Sequence, residues 1–475
     1  MKNRKFSKQD TTVCLGIILY FIAMVAVAVI TNGTCDSGDS IIHFLFSKYA
    51  FAHPENFLNH WAKPLFVLLS SPFAQFGFTG MKIFNCCVAA CTAWFCYKAS
   101  GAAGYRRAWL APLLLCFAPG YFIHVFSGLT EPLFALLLTI SIYLLFCNRL
   151  QSALLVVSFL PFVRSEGLVI ICVFVLYLLI ARQYRYLPWL LCGHFIYGIA
   201  GSFYYQDVLW VFTKIPYAGS SGKYGSGSLL HFVVQLNYII GIPLYILVIA
   251  GFIKKAAQPF IEKEGAWGFL IKKETLLVYG LFVAFISAHS IFWYLGIFES
   301  MGLKRVLIAI VPLAVLIALQ GFNFIADAFK SRFVSTSLSA VFAGWVFLFP
   351  FLPNPASINW KKDLSLSDEQ VLVASATATI KEKFPEGVPV YYAHPYLHIT
   401  LNKDPFDKDF KELGSLYTMQ RPVEYIVIWD SWFSTTEKGI TLEKLQNDPD
   451  LDVVESFEIK EPDKTVRLVV FANKK

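Results

Sequence analysis

Apolar segments follow one another along the first three-quarters of this chain, with few ionisable residues between them. Residues 1–355 contain only twelve of the 32 acids. Runs of roughly 17–25 apolar residues can cross a bilayer as helices. We read about eleven such spans, at 12–30, 80–98, 107–120, 129–147, 150–163, 167–181, 187–203, 231–253, 275–296, 303–322 and 333–352. Charged residues make up 15% of the chain, against about 25% in soluble domains. The fold class expected is an α-helical polytopic membrane protein.

The formal net charge is +8, and its placement explains it without nucleic acid. Lys2, Arg4, Lys5 and Lys8 precede the first span, and Arg106, Arg107, Arg149, Arg182, Arg185, Lys254, Lys255, Lys272, Lys273, Lys330 and Arg332 occupy every second junction. That is the positive-inside pattern with a cytoplasmic N-terminus. An odd number of spans then puts the C-terminus outside. The first apolar run is long and lacks a small-residue cleavage site, so it is expected to be a retained helix. The ten cysteines lie almost entirely within spans, a distribution that argues against a disulfide framework.

The chain divides into residues 1–355, the membrane part, and 356–475, an extracytoplasmic α/β domain. Within 31–79, the stretches SIIHFLFSKYAF and HWAKPLFVLLSSPFAQF are apolar but interrupted by Pro54, Pro64 and Pro72. They suit helices lying in the interface plane; an extra pair of short spans would leave the later topology unchanged. The Gly- and Ser-rich segment between the seventh and eighth spans has no phosphate-loop spacing and reads as a lid or a linker. Beyond 356 lie twenty of the acids. There Ser367 and Gln370 resemble a capping box opening a helix to Phe384. Segments 388–392, 424–430, 451–459 and 466–473 read as strands, with a turn at 461–464 and a helix near 441–447.

The acids of the membrane part gather on one side. Asp36, Asp39, Glu55, Glu131, Glu166, Asp207 and Glu299 all fall on the outer side in this topology, at or beside the ends of spans. Ionisable groups near hydrocarbon are costly and mark function. On the same side lie Arg164, Lys304 and Arg305, with His53, His60 and Lys63 in the first loop. Glu131 also suits a helix start on dipole grounds, and Arg164 and Glu166 suit a local ion pair. Asp36 and Asp39 have no cation beside them in sequence. A carboxylate there can act as general base on an acceptor, while Arg and Lys can hold a phosphate and stabilise charge growing on a leaving phosphate.

On these residues the chain resembles the GT-C superfamily of polytopic glycosyltransferases, nearest to bacterial protein O-mannosyltransferases and lipid A aminoarabinose transferases. The resemblance rests on CDSGD, HPENF with HWAKPLFVLLSSPF, SGLTEPLFALLLTISIYLL, PFVRSEG and GLKRVLIAIVPLAVLIAL, and covers about residues 10–350. It implies an inverting transfer from a polyprenyl-phosphate sugar to a lipid, glycan or protein acceptor, in a bacterial inner membrane. Asp39 or Asp36 would be the base; the acidic pair is adjacent in many relatives and is separated by two residues here. Arg164, Lys304 and Arg305 would bind the donor phosphate, with Glu131, Glu166, His53, His60 and Lys63 in support. A divalent metal held by Asp36 and Asp39 is compatible with the two carboxylates alone. A transporter or flippase of a lipid-linked glycan, and a non-catalytic subunit of an envelope assembly, are the other classes such a chain admits.

Overall fold

The computed structural model describes residues 7–219, 221–263, 265–407, 410–460 and 465–474. Lys2, Arg4, Lys5 and the expected turn at 461–464 lie outside the described residues. The membrane part begins with α1 (Lys8–Ile30), α2 (Asp39–Lys48), α3 (Pro64–Ala74) and α4 (Gly77–Ala102). It continues through α5 (Leu110–Cys116), α6 (Pro119–His124), α7 (Glu131–Phe146), α8 (Leu150–Ser158), α9 (Gly167–Ile180) and α10 (Cys192–Tyr205). A short α11 (Trp210–Thr213) precedes α12 (His231–Glu262) and α13 (Ala266–Leu270); α14 (Leu281–Leu295), α15 (Val311–Asp327) and α16 (Arg332–Leu348) complete the bundle.

All eleven expected spans are largely helical, and among the described residues six helices are long and apolar enough to cross a membrane. The third, expected over 107–120, is broken between α5 and α6 because Pro119 cannot donate to a continuing helix. Helices α2 and α3 have 10 and 11 residues, too short for roughly 30 Å of hydrocarbon. The segment 304–327 has 89% of its apolar window buried, whereas α1 and the 332–351 segment have 17%. The former is therefore the bundle's axis, and the latter two present their apolar surface outward. Helix α12 bends at Gly241, whose φ of 75° suits a residue without Cβ, two residues before Pro243.

After the bundle come α17 (Trp360–Asp363), α18 (Asp368–Lys383), α19 (Tyr396–Thr400) and α20 (Leu442–Gln446). A sheet forms from β1 (Val390–Tyr392), β2 (Lys411–Glu412), β3 (Ile426–Asp430), β4 (Leu451–Lys460) and β5 (Thr465–Asn473), in the order β2-β1-β3-β5-β4. The β1 pairings with β2 and β3 are parallel, while β5 is antiparallel to β3 and β4. Strand β3 is buried along its whole length. Ile426 and Ile428 pack with Leu372 and Ala376 of α18, while Val427 and Trp429 pack with Leu445 of α20, the period of two that a sheet covered on both faces requires.

The capping box at Ser367 and Gln370 is present, and the same glutamine reaches further. Its Oε1 accepts from the Ser367 N–H (3.0 Å), and its Nε2 donates to Thr34 Oγ1 (2.7 Å) in the first loop. The Gly33 N–H donates to the Leu364 carbonyl, and the Ser37 and Ser367 hydroxyls meet at 2.9 Å. The α/β part thus grips the segment that carries Asp36. Replacing Gln370 by Ala removes half of the cap and a buried side-chain hydrogen bond, each of order 1 kcal/mol. We expect a lower melting temperature and faster proteolysis within 31–37, checked by a thermal melt and limited digestion.

Candidate functional site

The N-terminal ends of α2, α7 and α9 and the turn that opens the 304–327 segment meet in a row of alternating charges. Arg305 lies at its centre. Its Nη1 donates to Asp36 Oδ2 (2.7 Å), its Nη2 donates to Asp39 Oδ2, and its Nε lies 3.7 Å from Glu131 Oε1. Glu131 in turn lies 2.7 Å from Arg164 Nη1, whose Nη2 donates to Glu166 Oε1 at 2.6 Å. His289 of α14 closes the row, 3.9 Å from Glu166.

Local sequence places each member. Asp36 Oδ1 accepts the N–H groups of Gly38 (2.8 Å) and Ser40 (3.2 Å), the side-chain turn that starts α2. Asp39 is the first residue of that helix, where the dipole favours a negative charge. Ser40 Oγ donates to the Thr34 carbonyl and accepts from the Gly128 N–H. A Cβ at Gly128 would meet the Ser40 carbonyl at 2.2 Å, so only glycine lets the two loops touch. Asn85 Nδ2 donates to the carbonyls of Ser127 (2.7 Å) and Leu129 (3.3 Å), bracing the strand of chain that delivers Glu131.

Exposure is graded along the row. The Glu131 side chain is 1% exposed, Arg305 13%, Asp36 30% and Asp39 43%. The buried end is a fixed ion network; the open end is Asp39. Both oxygens of Asp36 are engaged, one by backbone N–H groups and one by Arg305. Among the described residues Asp39 Oδ1 has no hydrogen-bond partner. Neither oxygen of buried Glu131 has an aligned hydrogen bond, and nor does Arg164 Nε, so the interior of the row keeps unused polar capacity.

Lys63 sits beside the row with an unusual backbone, φ 70°, immediately before Pro64. Its Nζ donates to Ser165 Oγ at 2.8 Å and has no carboxylate at ion-pair distance among the described residues. Burial pushes this ammonium down, outweighing the attraction of Glu166, to about 8. Burial acts to raise Glu166, but Arg164 and His289 overcome it and hold the carboxyl at about 2. An anion held through Lys63 is therefore bound best below pH 8 and loses its partner as pH rises through that value. A phosphodiester probe keeps one charge across this range. Its affinity for the wild type should fall several-fold between pH 7 and 9, and stay flat in Lys63→Arg, as a titration of ligand binding at each pH would show.

Not all the expected residues join this row. Lys304 is exposed, its Nζ 5.5 Å from the Tyr238 ring centre. His53 pairs with Asp404 of the α/β part at 2.8 Å. His60 Nε2 lies 3.1 Å from the Val211 carbonyl, among Phe162 and Trp210. A metal pairing of Asp36 and Asp39 does not fit the donor set, because a guanidinium bridges the two carboxylates; among the described residues no three His, Cys, Asp or Glu side chains group to hold a metal ion. Ser40, Asn85, Gly128 and His289 carry no sequence signal of their role. The Gly- and Ser-rich segment is tethered: Lys223 and Tyr224 reach Glu437, and the Gly222 N–H donates to the Gly296 carbonyl.

The architecture is a bundle of apolar helices, several long enough to cross a membrane, followed by a small α/β part. ArnT from Cupriavidus metallidurans, solved in the apo state, has a similar structure, with a TM-score of 0.63 over 97% of this chain and 98% of that one at 12% sequence identity. No family model and no curated protein matches the sequence.

Proposed function

We propose that this protein is a membrane glycosyltransferase that moves a sugar from a polyprenyl-phosphate carrier to an acceptor at the face bearing the acidic row, a face we read as extracytoplasmic from the charge pattern. The observation that carries the reading is Asp39: one carboxylate oxygen on Arg305, the other open, at the accessible end of a cation-rich row set at the mouths of the spans. The likeness to ArnT along nearly the whole chain supports it.

In this reading Asp39 takes the proton from an acceptor hydroxyl or amine. The freed electron pair attacks the anomeric carbon, the bond from that carbon to the phosphate oxygen breaks, and the electrons leave on polyprenyl phosphate. A single displacement inverts the centre. Lys63, which has no carboxylate at ion-pair distance among the described residues, and Arg164 and Arg305 face the leaving phosphate. Glu131 and Glu166 hold the two guanidinium planes in place. Lys304 stands apart from this set and has no role in it. Asp36, tied on both oxygens, positions α2 rather than reacting.

The test is purified protein in detergent with a panel of radiolabelled polyprenyl-phosphate sugars and mixed acceptors. Release of free carrier together with labelled product supports the reading and names the donor. Tight binding of the lipids with no turnover in any acceptor mixture contradicts it.

A further inference from the structure

At the opposite end of the bundle, roughly 35 Å along α12 from His231 at 1.5 Å per residue, a second polar site opens. It is a cavity of about 350 Å³ between α12, α15 and the segment leading into α14, at the small end of the range of ligand pockets. One wall is apolar and outward-facing: Ile261 is 75% exposed and Phe324 44%. The other wall is a hydrogen-bonded set in which every carboxylate is already matched. Glu274 accepts from Lys255 (2.7 Å), Tyr105 (2.5 Å) and Gln320 (3.4 Å). Glu262 accepts from Lys272 (3.0 Å) and Gln258 (2.9 Å).

Lys254 is left over. Its Nζ donates to the neutral amide oxygen of Gln320 at 2.5 Å, and no carboxylate lies within ion-pair distance of it among the described residues. Nearby, Arg106 and Arg107 share the single carboxylate of Asp327. Among the described residues this end of the bundle therefore carries unneutralised positive charge, concentrated at a cavity with an exposed apolar side.

We propose that this cavity binds a phosphate ester, with Lys254 as its ion-pair partner and the Gln258 and Gln320 amides beside it, and that the ester is the headgroup of an anionic glycerophospholipid whose chains run along Ile261 and Phe324. A basic pocket between helices next to lipid-facing apolar side chains is the combination that holds such headgroups. A soluble phosphate ester would use the polar wall and gain nothing from the apolar one.

Native mass spectrometry of the delipidated full-length protein tests this, with phosphatidylglycerol, phosphatidylcholine or sn-glycerol 3-phosphate added back. Phosphatidylglycerol should be retained by the wild type and by Lys254→Arg, and retained at least five-fold less by Lys254→Gln. Phosphatidylcholine should not distinguish the three. Lys361→Gln, on the far α/β side, controls for loss of charge as such. Equal retention of phosphatidylglycerol by wild type and Lys254→Gln overturns the site. Lys254-dependent binding of glycerol phosphate as strong as that of the lipid overturns the membrane source.

Discussion

Asp39→Asn should lower sugar transfer by about three orders of magnitude, the middle of the range for losing a positioned general base, with expression and melting temperature close to wild type. The stability half of that expectation follows from exposure. The Asp39 side chain is 43% exposed, and ion pairs that accessible contribute about 0–1 kcal/mol. Asn keeps the shape and the open oxygen but cannot accept the acceptor's proton. Asp36→Asn should behave differently. It weakens the turn through Gly38 and Ser40 without removing the base, so a loss of about ten-fold, with an unchanged pH profile, is expected. Initial-rate assays of the two purified variants separate them, and equal losses in both would contradict the assignment of roles.

Arg305 carries the second large effect. Arg305→Gln leaves Glu131, 1% exposed, with one cation instead of two. Breaking a buried ion network of this kind costs roughly 3–5 kcal/mol, so this variant should be poorly folded. Arg305→Lys is the informative one. It keeps a positive charge near Glu131 and should fold, but a single ammonium cannot bridge Asp36 and Asp39 and face Glu131 at once. Transfer should drop about a hundred-fold while the melting temperature falls by only a few degrees. A lysine variant with wild-type turnover would show that the bridging geometry is irrelevant to the reaction.

The polytopic helical architecture could be read from apolar run length because bilayer thickness imposes it. Individual breaks were less legible: Pro119 splits one expected span, while Pro132 opens one, since a proline at a helix start removes no hydrogen bond. In the α/β part, Ser367 and Gln370 announce the cap, yet nothing local says that Gln370 also reaches Thr34, 336 residues away. The acids of the row were visible as scarce charges at span ends. Their partnerships were not. Asp36 and Asp39 have no cation near them in sequence, and Arg305 arrives from 269 and 266 residues downstream. Lys304 and Arg305 are adjacent and chemically alike, but the chain turning into the 304–327 segment directs only one inward. His289 lies within an apolar span, where a histidine packed on Phe232 and Phe285 looks like any buried aromatic until Glu166 is placed beside it.

Transfer and transport would use a row at the span ends differently. A translocator must carry the charged headgroup across the bilayer with the sugar still joined to it. An enzyme needs only to meet the headgroup at one surface. The decisive measurement uses proteoliposomes in which a donor, labelled separately in sugar and lipid, is confined to one leaflet and an acceptor is supplied. The proposed function predicts that the two labels part, the sugar appearing on the acceptor and the lipid as free carrier phosphate, and that Asp39→Asn abolishes the separation. Donor that crosses to the other leaflet with both labels still joined, at the same rate in wild type and Asp39→Asn, would contradict it.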